Sequence, residues 1–190
     1  MKILEILIMK IESNPFIPEV KIITRPVYAD HRGFFTESLN PLVEQALGVS
    51  FVQDNHSMSY KYVIRGIHFQ WNKPMGKLCR VVKGAGMDVA VDLREFSPTF
   101  GKYVMVYLSE DNFKQVWVPP GFGHAFISLE DKTHFCYSCS TVHNAESEGA
   151  ICPLDTTLML DLPFAKNKAI ISDKDRDAQS FESYKLNSKF

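Results

Sequence analysis

What most constrains this chain is a succession of short strand-like runs broken by tight-turn chemistry, beginning near residue 19. Runs of β-branched and aromatic residues at 20–24, 63–69, 78–83, 87–93, 103–108, 115–118, 125–128, 133–139 and 158–160 read as strands. Asp30-His31-Arg32-Gly33, Asn72-Lys73-Pro74, Ser97-Pro98-Thr99-Phe100-Gly101 and Pro119-Pro120-Gly121 supply the turns between them. Many short strands with Gly/Pro turns predict an all-β sandwich or small barrel. Helical patterning is confined to 41–47 and 173–180, so helices are short and peripheral. No repeat interrupts the pattern, and 190 residues suit a single core. The polar tail from Asp173 is expected on the surface.

Charge narrows the partners. Lys+Arg 21 against Asp+Glu 22 leaves a net charge of -1, which gives no basic field for nucleic-acid phosphates, so a charged ligand must be met locally. The apolar opening Ile3-Leu4-Glu5-Ile6-Leu7-Ile8-Met9 is short and broken by Glu5, unlike a membrane span or signal peptide. A cytoplasmic protein is expected. Residues 1–8 read as an additional segment, because Met9-Lys10-Ile11-Glu12 repeats the style of Met1-Lys2-Ile3 and the β-type sequence reads naturally from Met9 through 190.

The four cysteines, Cys79, Cys136, Cys139 and Cys152, stand in apolar or β-branched surroundings and are expected reduced and buried. Cys136 and Cys139 have a CxxC spacing, but within a strand-like run residues three apart face opposite sides, which disfavours a redox pair.

The chemistry concentrates in Arg65-Gly66-Ile67-His68-Phe69-Gln70 and Gly76-Lys77-Leu78. Three cationic or protonatable groups in apolar sequence are costly to desolvate, which marks them as an active site. Strand alternation puts Ile64, Gly66, His68 and Gln70 on one face, with Arg65, Ile67 and Phe69 on the other. Gly76 permits close backbone approach before Lys77, and Pro119-Pro120-Gly121-Phe122-Gly123 rigidly presents His124. Tyr137 either donates a proton into the interior or simply packs there. His56, His68 and His124 are scattered, without the His-x-His pair and following carboxylate of a metal-binding cupin, so no metal is expected.

These residues resemble the dTDP-4-dehydrorhamnose 3,5-epimerase family over residues 17 to 177. The resemblance rests on Asp30-His31-Arg32-Gly33-Phe34-Phe35-Thr36-Glu37, Phe51-Val52-Gln53-Asp54-Asn55-His56-Ser57, the Arg65 and Lys77 segments, Asp88-Val89-Ala90-Val91-Asp92, Ser97-Pro98-Thr99-Phe100-Gly101 and Pro120-Gly121-Phe122-Gly123-His124-Ala125-Phe126. It implies a cupin-like jelly roll, a double-stranded β-sandwich working as a homodimer with no metal or cofactor. It further implies epimerisation of a nucleotide-linked 4-keto-6-deoxyhexose, dTDP-4-dehydro-6-deoxy-D-glucose first, for deoxysugar and surface-polysaccharide synthesis.

The roles carried over are His68 as base, Asp155 as its orienting partner, Lys77 at the enolate oxygen and Tyr137 as acid on the other face of the sugar. Arg32, Glu37, Gln53, Asn55, Arg65, His124 and Glu148 match substrate contacts, and His143 is counted with them. Two departures stand out. Val142-His143-Asn144-Ala145 lies where the family often has a tyrosine followed by Ser-Pro, and Leu162-Pro163 replaces a Trp-Pro. They leave open a CDP or GDP nucleotide, or action at C3 or C5 alone. A non-catalytic sugar-binding jelly roll would have lost its base or acid, and neither is lost.

Overall fold

A computed structural model describes residues 9–190, so the expectation for residues 1–8 lies outside the described residues. Strands β1 (Lys10–Ser13) and β2 (Lys21–Thr24) and the hairpin β3 (Tyr28–Asp30) and β4 (Gly33–Phe35) lead into helix α1 (Pro41–Leu47). The Asn40 side chain caps α1, Pro41 opens it, and Gly48 closes it at φ 68. Then follow β5 (Gln53–Ser59), β6 (Ile64–Gln70), β7 (Lys77–Lys83), β8 (Ala85–Asp92), β9 (Tyr103–Ser109) and β10 (Lys114–Val118). The chain closes with β11 (Phe122–Ser128), β12 (Thr133–Cys139), β13 (Glu148–Ala150), α2 (Asp173–Arg176) and α3 (Phe181–Lys185).

Two antiparallel sheets form the sandwich, in the orders β1-β2-β10-β7-β12-β5 and β13-β6-β11-β8-β9. Between them Cys79, Val81, Val116 and Phe135 from the first sheet meet Ala90, Val106 and Phe126 from the second. This is the β-sandwich that the strand pattern predicts and the jelly roll that the family resemblance implies. Each sheet also has a covered outer face. Val43 of α1 packs on Ile23, Leu78 and Trp117 of the first sheet. Ile151, Leu158, Leu160, Ile171, Phe181 and Tyr184 pack on Ile64, Ile67, Phe69, Val89 and Ile127 of the second. With β8 covered on both faces, seven of its eight residues are buried, which explains its nearly continuous apolar sequence.

Several expectations from the sequence are corrected. Residues 158–160 form no strand; Leu158 and Leu160 instead plug the core cluster of the second sheet from a turn segment. Strand β5 was not legible, because Gln-Asp-Asn-His-Ser-Met-Ser has almost none of the usual strand residues and is recruited by pairing along all of β12. The tail is not a surface appendage: Asp175, Phe181 and Tyr184 are buried, and the Tyr184 hydroxyl donates to the Leu93 carbonyl at 2.8 Å. Helix α2 is also shorter than 173–180, since Ser180 starts α3 as its cap.

The expected alternation of β6 fails in its middle. Against β11, His68 pairs with His124 but Arg65 pairs with Phe126, so one extra residue is accommodated around Gly66-Ile67. Ile64, Ile67 and Phe69 therefore join one apolar cluster. Gly66 sits at φ +114, and a Cβ there would lie 2.4 Å from the His124 carbonyl oxygen, so only glycine fits this bulge. Among the described residues no helix is long and apolar enough to cross a membrane, and the four cysteines are free.

Candidate active site

Residues of both sheets line an open cavity of about 510 Å³ that continues into an adjoining space of about 500 Å³. That is ample for a nucleotide sugar's reacting ring. One wall belongs to the first sheet. Lys77 on β7 and Tyr137 on β12 lie on neighbouring strands, with the Lys77 Nζ 5.6 Å from the centre of the phenol ring. The close approach read at Gly76 is real, since a Cβ there would meet the Trp117 indole at 2.2 Å. Gln53 and Asn55 of β5 extend this wall, joined by a 3.0 Å hydrogen bond from Gln53 Nε2 to Asn55 Oδ1.

The other wall belongs to the second sheet. His68 on β6 stands beside His124 on β11, and Glu148 of β13 lies at the mouth. The His68 Nε2 is 2.6 Å from Asp175 Oδ1, and the other Asp175 oxygen accepts from the Gly66 N–H at 3.3 Å. Only 4% of Asp175 is exposed, so this carboxylate fixes the ring from the protein side. With Nε2 donating to it, Nδ1 carries the lone pair that can accept a proton.

Asp175 therefore takes the place expected of Asp155. The Asp155 carboxylate accepts instead from the backbone N–H groups of Thr157 at 2.9 Å, Leu158 at 2.8 Å and Phe181 at 3.2 Å. Its lone pairs hold the turn after residue 155 and the start of α3, so it is not the partner of His68. Asp175 reaches the site because Ser172 caps α2 and accepts from the Asp175 N–H. The sequence offered one signal: a Ser before acidic residues is a helix start. Within a charge-rich tail it pointed to solvent.

Electrostatics divide the labour. Burial holds the Lys77 ammonium below the ordinary lysine range and pushes the Tyr137 phenol above its own, so Tyr137 keeps its proton at neutral pH. Burial also pulls His124 below the usual imidazole range, the Asp88 carboxylate 2.9 Å away opposing this and Lys77 adding to it. A neutral His124 donates its Nε2–H to Asp88, which leaves Nδ1 as an acceptor. Glu148 is raised by burial, but the Lys174 ammonium at 2.5 Å, with His68 and His143, outweighs this and keeps it ionised. Lys174, unrecognised in the sequence, enters the cavity on the same short helix as Asp175.

His143 lines the cavity with its Nε2 3.7 Å from Glu148, and its N–H donates to Gln53. Arg65 lines the adjoining space, its guanidinium donating to Ser59 Oγ and the Met58 carbonyl; the β6 bulge brings it round with His68. Arg32 and Glu37 do not line this cavity. Arg32 forms an ion pair with Asp30 at 2.6 Å, and Glu37 receives the Asn40 amide at 2.7 Å. Cys79, Asp88 and His124 bring their donor atoms within 4.8 Å of one another. The adjacent Lys77 cation and a thiol held well above its ordinary range make this trio a poor home for a metal cation.

A family model described as dTDP-4-dehydrorhamnose 3,5-epimerase matches residues 15–183. The chain belongs to this family. Among curated proteins, the dTDP-4-dehydrorhamnose 3,5-epimerase of Shigella flexneri is 45% identical over 169 residues, 87% of this chain and 92% of that protein. The crystal structure of dTDP-6-deoxy-D-glucose-3,5-epimerase from Legionella pneumophila, in complex with dTDP-4-keto-L-rhamnose, is similar with a TM-score of 0.87 at 43% identity, covering 92% of this chain and 94% of that one. A 3'-monoepimerase from Streptomyces bikiniensis in complex with dTDP-quinovose also matches, with a TM-score of 0.86 at 30% identity over 92% of this chain and 89% of that one. In this member of the dTDP-4-dehydrorhamnose 3,5-epimerase family, an imidazole, a carboxylate, an ammonium and a phenol stand around one cavity, groups of the kinds that acid–base chemistry needs.

Proposed function

We propose that this protein is an isomerase converting dTDP-4-dehydro-6-deoxy-D-glucose to dTDP-4-dehydro-L-rhamnose by epimerisation at C3 and C5. The observation that carries this reading is the placement of a carboxylate-paired imidazole on one sheet and a protonated phenol beside an ammonium on the other, around a single cavity. Both carbons neighbour the C4 ketone. His68 takes the proton, the electron pair moves to the ketone oxygen, and Lys77 stabilises the resulting enolate. Such a pre-placed donor is worth about 3–4 kcal/mol. Tyr137 delivers a proton to the opposite face, which inverts the carbon, and water then restores both side chains. General acid and base each add about 10²- to 10⁴-fold. Nothing in these steps requires a cofactor or metal.

The same reading makes the protein a cytoplasmic homodimer of single-domain chains in which an N-terminal strand helps close the neighbour's sheet. It also explains Arg32 and Glu37. The β3–β4 hairpin stands clear of its own cavity with Phe34 61% and Phe35 64% exposed, so a second copy would bury these rings and receive Arg32 and Glu37 at its substrate. Light scattering decides it, and a monomer at micromolar concentration would defeat it.

A second reading, inversion at one carbon only, is favoured by His143 where the family often has tyrosine. Proton NMR of the keto sugar nucleotide in D₂O separates the two, because deuterium enters at each carbon that is deprotonated. Exchange and inversion at both C3 and C5 support the first reading, and at one carbon the second. No exchange at all would make the jelly roll a binding module.

A further inference from the structure

We propose that His56 and His134 form a chelating site for a divalent late transition metal, copper(II) above all, on the outer face of the first sheet. Side chains of β5 alternate, with Gln53 and Asn55 half-buried in the cavity wall and Asp54, His56 and Met58 exposed, His56 also touching the cavity's edge. On β12, Phe135 and Tyr137 face the interior, which turns His134 and Cys136 outward. Pairing then sets Cys136 opposite His56, and Met58 opposite His134. Two imidazoles, a thiol and a thioether thus occupy the four corners of one cross-strand block. The Ser138 hydroxyl donating to Asp54 at 2.8 Å marks the same face one step along.

The decisive distance is between the imidazoles. His56 Nε2 and His134 Nδ1 lie 2.9 Å apart. Two nitrogens each about 2.0 Å from a metal stand about 2.8 Å apart at a right angle and about 3.3 Å apart in a tetrahedron. The observed spacing suits adjacent corners of a square or octahedral ion, the geometry of copper(II) and nickel(II), better than tetrahedral zinc. The proton now shared between the rings is no obstacle. The donating ring transfers it to its own other nitrogen, so both facing atoms offer lone pairs and a neutral pair releases no proton on binding. Water completes the coordination, and acidification opposes binding because protonated imidazole is no ligand.

Neither imidazole has a part in the proposed proton transfers, so the site stands or falls apart from that reaction. The full-length protein, stripped of metal, is titrated with copper(II) chloride in a non-coordinating buffer near neutral pH and followed by calorimetry and electron paramagnetic resonance. One copper per chain with nitrogen hyperfine structure is expected, with nickel and zinc weaker. H56Q and H134Q should each weaken binding at least about tenfold, while H31Q should not. H134Q, whose side chain faces away from the cavity, should keep wild-type turnover and so certify the fold. Copper binding unchanged in folded H134Q, or reduced equally by H31Q, would overturn the site.

Discussion

The two walls of the cavity are built by different means. Lys77 and Tyr137 stand on β7 and β12, two interior strands of a six-stranded sheet, each fixed by hydrogen-bonded neighbours on both sides. His68 also lies on a strand, but its orientation depends on Asp175, which arrives on the four-residue helix α2 from the end of the chain. That helix is held by a Ser172 cap, by isolated bridges from Val63 to Ile170 and from Ile151 to Gln179, and by Phe181 and Tyr184 in the core behind it. The Lys77–Tyr137 wall is thus a property of the sheet, and the His68 wall a property of how the tail docks. Damage to the tail should reach His68 and leave Tyr137 in place.

The largest effect should come from the base itself. His68→Asn should abolish both solvent deuterium exchange and epimerisation, because without a base no enolate forms; NMR in D₂O reads both. Tyr137→Phe should separate them. Exchange on the original face continues while inversion falls by about 10²- to 10⁴-fold. Inversion at the wild-type rate would leave Tyr137 a packing residue and send the search for the acid to water or His124.

The two tail carboxylates sharpen the contrast further. Asp175→Asn should lower kcat by about 10²-fold or more with a small change in Tm, since it removes the charge that supports the imidazolium. Asp155→Ala should do the reverse. It leaves three backbone N–H groups without their acceptor, costing about 2–3 kcal/mol and several degrees of Tm, with kcat in the folded fraction close to wild type. If Asp155→Ala instead abolished turnover at unchanged Tm, the assignment of the two carboxylates would be inverted.

The smallest effect belongs to pH. Burial lowers the His124 pKa, so the unfolded chain binds a proton more readily than the folded one between the depressed value and the ordinary imidazole value. Stability from this group is complete above the ordinary imidazole range and is lost as pH falls through it toward the depressed value. Tm measured from neutral to mildly acidic pH should decline accordingly, and His124→Gln should flatten that part of the decline.

By itself the sequence determined the strand-rich sandwich, since short β-branched runs between Gly/Pro turns have few other ways to bury their apolar faces. It singled out His68, Lys77, His124 and Tyr137 as candidates for the chemistry, and the fold brings all four to one cavity. It gave α1 its residues as well, through the Asn40-Pro41 start and the Gly48 stop. What it could not determine was decided by contacts distant along the chain. β5 is a strand only because β12 pairs with it. Arg65 and His68 share a cavity only because β6 bulges against β11. Asp175, and not Asp155, meets His68 because the core side chains Phe181 and Tyr184 dock the tail over the second sheet. A carboxylate's role follows from whether its oxygens meet an imidazole or a row of backbone N–H groups, and that choice is made when the tail packs.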